Sequence, residues 1–122
     1  MEDKDILKIL VHNQEWQTFE CKRAAIKPSH LLETVVAFAN TDGGFIVIGL
    51  EDPEKALKEN RLIGISENPD NASEILKLIS KEIEPSLILW NKYELDITNA
   101  NGQPDKLLIL NVKKSYDVHS LK

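Results

Sequence analysis

The chain has 122 residues, 42% of them hydrophobic and 29% charged, which suits one soluble globular domain and leaves little room for a second. Its single cysteine, Cys21, excludes an internal disulfide and a cysteine-rich zinc site. The net charge of −5 excludes a uniformly basic nucleic-acid-binding surface, and no apolar run reaches membrane-spanning length. An acidic start unlike a signal peptide, together with the lone thiol, predicts a cytoplasmic protein without a membrane partner.

Residues 3–12 predict a short helix, with Ile6, Leu7 and Leu10 on one side. Residues 16–22 alternate as a strand, Phe19 and Cys21 facing the core and Thr18, Glu20 and Lys22 facing away. Pro28-Ser29 opens a helix with Ser29 as the expected N-cap, and Leu31, Leu32, Val35, Val36 and Ala39 recur at helical spacing. Asn40-Thr41-Asp42-Gly43-Gly44 is turn chemistry and ends that helix. The following Phe45-Ile46-Val47-Ile48-Gly49-Leu50 is apolar on both faces, as in a strand covered on both sides or nearly so.

Residues 51–61 are charged and predict a surface loop, and Leu62-Ile63-Gly64-Ile65 predicts a short strand. Asn71 with Glu74 resembles a capping box for a helix carrying Ile75, Leu78, Ile79 and Ile83, which Pro85 ends. Residues 87–97 predict a long strand, 99–104 a hairpin turn, and 107–112 a last strand. The order is helix, strand, helix, strand, helix, strand, strand: an α+β domain over residues 1–122. The segment after Val112 has weak pattern and no evident stop, which predicts the N-terminal part of a longer protein.

Three segments together resemble the AlbA-like domain of the Schlafen family. They are Glu15-Trp16-Gln17-Thr18-Phe19-Glu20-Cys21-Lys22; Val36 to Gly44 running into Phe45–Asp52; and Leu62–Ile65 followed by a helix and Ile83-Glu84-Pro85-Ser86-Leu87. The second segment is the specific one. Two departures stand out: Cys21 occupies a position usually held by Phe, and Lys113-Lys114-Ser115-Tyr116-Asp117-Val118-His119 matches only in part the family's closing Val-Pro-x-Ser-like element.

The resemblance implies an Alba-like mixed sheet flanked by two main helices plus the short N-terminal one. It implies binding to DNA or RNA, a place ahead of an ATPase-like or winged-helix region in transcriptional regulators, and a homodimer. In some vertebrate Schlafens the domain cleaves structured RNA with three carboxylates and a divalent metal. By position these would be Glu15, Glu20 and Asp52, as both metal ligands and catalytic groups.

The residues bear on both activities. Charge is uneven, with acids in excess over residues 51–84. Lys22, Arg23 and Lys27 concentrate in one segment, and Lys113 and Lys114 in another. These five are the candidate phosphate-binding residues, and they make one positive face if the fold brings the two segments together. Binding of this kind needs no cofactor.

Cleavage would need Mg²⁺ or Mn²⁺ on hard oxygen ligands. Glu20 and Lys22 share a strand face, whereas Glu15, five residues earlier, joins them only from a turn or helix end. A third reading is a non-catalytic oligomerisation module. The paired glycines lack the lysine of a nucleotide-binding loop and read as structural. Cys21 reads as a core thiol, His12, His30 and His119 as surface or packing residues, and Trp16 and Trp90 as packing groups that could also stack on bases.

Overall fold

In the computed structural model, residues 19–84, 90–115 and 118–121 are described. The expected helix over 3–12, the start of the first expected strand, Glu15, Trp16, His12 and Pro85 lie outside them.

Strand β1 (Phe19–Lys22) leads into helix α1 (Pro28–Ala39), strand β2 (Gly44–Ile48) and then two 3₁₀ turns, Lys58–Arg61 and Ile65–Glu67. Helix α2 (Pro69–Glu82) follows, then β3 (Ile83–Glu84), β4 (Trp90–Thr98), β5 (Pro104–Val112) and β6 (Ser120–Leu121). The main sheet has the order β1-β2-β5-β4, with β1 and β2 parallel and the other pairs antiparallel. A small antiparallel sheet joins β3 to β6. This is the α+β architecture expected, with two main helices and a mixed sheet.

Strand alternation produces two cores. On the helix side, Leu31, Val35 and Phe38 of α1 and Ile75 and Ile79 of α2 pack against Ile46, Ile48, Leu108 and Leu110. On the other side, Phe19, Cys21, Val47, Leu95, Ile97 and Leu107 cluster with Leu50 and Leu62. Cys21 is 3% exposed, as a core thiol should be.

Local chemistry differs from the sequence expectations at three places. Helix α1 begins with Pro28 at its first position after Lys27, so Ser29 lies inside the helix instead of capping it. Helix α2 is capped by Asn68, whose Oδ1 accepts the Asn71 N–H at 3.1 Å. The Asn71 amide is thereby free to donate to the carbonyls of Ala24 and Ile26, tying the β1–α1 loop to α2. The segment 62–65 makes one bridge, Leu62 to Leu50, before turning 3₁₀.

The turn after α1 is a structural lock. Gly43 sits at φ +77°, and a Cβ there would lie 2.6 Å from the Val112 carbonyl oxygen and 2.8 Å from the Lys114 nitrogen. Asn40 donates to the His119 carbonyl at 2.9 Å and accepts the His119 N–H at 2.8 Å, while the Ser115 N–H donates to the Ala39 carbonyl. The His119 ring, 3% exposed, lies 2.7 Å from the Ser115 hydroxyl. The Asn-Thr-Asp-Gly-Gly turn thus clamps the chain leaving β5, which accounts for its residue types without a ligand.

Candidate nucleic-acid interface

The two basic segments occupy opposite ends of β2. Lys22 pairs with Ile48 at one end, whereas Lys113 follows Val112, the partner of Gly44, at the other. Four residue steps of strand separate these ends, about 13 Å. The condition for a single positive face is therefore not met, and the segments make two basic sites along one sheet.

At the first site, Lys22 projects from the edge strand with its ammonium 3.2 Å from Glu20, both side chains partly exposed. An ion pair of this kind is worth about 0–1 kcal/mol, so Lys22 can exchange Glu20 for another anion. Arg23 is more firmly engaged. Its Nε donates to Glu67 Oε1 at 3.1 Å, a second nitrogen pairs with Glu67 Oε2, and a third donates to Glu51 Oε2 at 3.0 Å. The Glu67 hydrogen bonds, aided by the charges of both glutamates and opposed by partial burial, hold the guanidinium pKa above its ordinary value. Lys27 is exposed at the start of α1 and, like Lys113 and Lys114, makes no ion pair among the described residues.

Beneath this site lies Arg61, 1% exposed, in a segment that reads from sequence as charged surface loop. Its Nε donates to the Glu51 carbonyl at 2.9 Å and another nitrogen approaches the Cys21 sulfur at 3.3 Å. Glu51, itself buried, accepts the Asp52 N–H and Arg23. Arg61 thus braces the loop from beneath while Glu51 and Glu67 hold Arg23 above it. The only sequence signal for Arg61 was its position directly before the apolar run Leu62-Ile63.

The candidate carboxylates are placed as follows. Glu20 lies within β1 beside Lys22. Asp52 lies past β2, where its Oδ1 accepts the Glu54 N–H at 2.8 Å in a local turn. Glu15 is outside the described residues, among which no three His, Cys, Asp or Glu side chains form a metal-holding group. No helix of the described residues is long and apolar enough to cross a membrane.

Among 17 solved chains that match is the crystal structure of the DIP2311 protein from Corynebacterium diphtheriae. It superposes with a TM-score of 0.52 at 18% identity, covering 95% of this chain and 22% of that one. This chain therefore spans about a fifth of that protein's length, and the likeness concerns the fold alone. No curated protein matches the sequence. The family model described as Schlafen, AlbA_2 matches residues 15–122, nearly the whole chain, and takes in the first strand, the Asn40–Gly44 lock and the segment it clamps: the chain belongs to the Schlafen AlbA_2 family.

Proposed function

We propose that this chain is a nucleic-acid-binding module, with DNA as its first partner, serving in a transcriptional regulator and acting mainly through backbone phosphates. The observation that carries the reading is the placement of Lys27, Lys113 and Lys114. In an acidic chain these three are exposed and free of carboxylate partners among the described residues, and they lie at the two ends of one sheet. Lys22 joins them by releasing Glu20. Arg23 contributes least, because Glu67 and Glu51 already engage all three of its guanidinium nitrogens. Contacts of this type position a duplex without reading its sequence.

The test is a binding series by fluorescence anisotropy at low salt. Lys113→Ala with Lys114→Ala should weaken binding about tenfold or more across unrelated sequences, while Arg23→Ala changes it less. Equal affinity for wild type and the double lysine variant would overturn the reading.

A further inference from the structure

The sheet face opposite the helices carries an uncharged patch that the lysine contacts leave unused. Register and alternation put Phe45 of β2, Ile109 and Asn111 of β5, and Asn91 and Tyr93 of β4 on this face. Phe45 is opposite Asn111, Asn111 is opposite Asn91, and Ile109 is opposite Tyr93. Toward the hairpin end, the same face is closed over buried Leu95, Ile97 and Leu107. Toward the Gly44 end Phe45 is 46% exposed and Tyr93 44%, although β2 is an interior strand, while Phe19, opposite Phe45 on β1, is 4% exposed.

The chemistry of this patch is specific. Two aromatic rings lie two strands and two residues apart, about 12 Å, which leaves room for a separate base on each. Asn91 and Asn111 add amide donors and acceptors between the rings. Among the described residues no acidic residue registers on this end of the face, and β5 runs directly into Lys113 and Lys114 beside it. Exposed aromatics, amides and a lysine margin complement a chain that offers unstacked bases and phosphates together.

We propose that this face is a stacking platform for single-stranded nucleic acid. Phe45 and Tyr93 take bases on their ring faces, Asn91 and Asn111 hydrogen-bond base edges, and Lys113 and Lys114 hold the adjoining phosphates. The inference rests on the nucleic-acid-binding reading and deepens it, because a duplex hides the base faces that the platform needs.

The experiment compares anisotropy of the whole chain with three probes of equal length: a thymidine oligomer, its abasic counterpart and a blunt duplex, with a uridine oligomer as a further arm. The thymidine or the uridine oligomer should bind about tenfold or more tighter than the abasic strand, and Phe45→Ala and Tyr93→Ala should each erase most of that difference. Phe45→Tyr, which keeps the ring, should retain it, and unchanged thermal melting shows that the variants fold. Preference for thymidine over uridine, or the reverse, assigns the platform to DNA or RNA. Equal binding of abasic and base-bearing strands, with Lys113→Ala and Lys114→Ala still weakening both, overturns the platform and leaves the phosphate reading standing. Binding to none of the probes at low salt overturns both. A wild-type dimer that Phe45→Ala dissociates, without base-dependent binding, also overturns the platform and makes this face a contact between copies.

Discussion

Replacing Gly43 by Ala tests whether the family's glycine pair serves structure or ligand. The residue sits at φ +77°, where an L side chain costs about 1–2 kcal/mol. The added Cβ also meets backbone on the far side of the turn, 2.6 Å from the Val112 oxygen. Relieving that contact moves the end of β5 away from α1 and weakens three hydrogen bonds: Ser115 to Ala39 and the two between Asn40 and His119. At about 1 kcal/mol each, the total reaches about 4 kcal/mol, a large share of the 5–15 kcal/mol that holds a domain together. Gly102→Ala is the internal control. Its φ is +81°, but a Cβ there meets nothing within 4 Å. It therefore carries backbone strain alone, partly offset by the stiffer unfolded chain, for a net of about 1 kcal/mol. Urea denaturation of both variants should separate them by about 3 kcal/mol. Equal losses would refute the argument that close backbone approach, and not φ alone, demands glycine at position 43.

Three further outcomes follow from the same geometry. Asp105 accepts from the Ser66 N–H and hydroxyl, from Asn99 at 3.0 Å and from the Lys106 N–H; burial alone would raise its pKa, but these bonds together hold it below the ordinary value of 3.8. A lowered folded pKa makes its stabilisation full above the unfolded value and lost as pH falls through the folded one, so denaturation below about pH 4 should show an acid-dependent loss that Asp105→Asn lacks. Arg61→Met removes a buried donor from the Glu51 carbonyl and should cost about 2–3 kcal/mol by thermal melting; a neutral result would show that Arg61 does not brace the loop. Glu20→Gln with Asp52→Asn frees Lys22 and removes two negative charges, so nucleic-acid affinity should rise a few-fold, whereas loss of a Mn²⁺-dependent cleavage in that variant would favour the catalytic alternative.

Much of the fold was legible because local pattern and tertiary role agree. The period-2 run at Phe19 and Cys21, the helical spacing of Leu31 and Val35, and the Asn99–Pro104 turn each meet their strand or helix in the expected place. Local pattern failed where a distant group set the outcome. Asn71 reads as a cap, but the helix starts earlier, at Pro69 behind an Asn68 cap, and the Asn71 amide donates instead to the distant carbonyls of Ala24 and Ile26. Arg23 reads as a candidate phosphate-binding residue, and sequence gives no sign that Glu67, forty-four residues on, holds it. Sequence leaves open whether the Lys22 and Lys113 segments meet, and only the register along β2 puts them at opposite ends. The apolar run Phe45–Leu50 reads as a strand covered on both faces or nearly so, and pattern alone does not reveal that Phe45 is its exposed member.

The central claim is that lysines at both ends of the sheet hold phosphates, and salt dependence tests it most directly. Four contacts, from Lys22, Lys27, Lys113 and Lys114, give a slope of log affinity against log salt of about −3.6 on duplex DNA. Affinity should then fall on the order of 100-fold between about 50 and 200 mM salt, and alanine at Lys113 and Lys114 should flatten the slope by about half. An affinity unchanged across that range, or a slope that the lysine variant leaves untouched, would contradict the account.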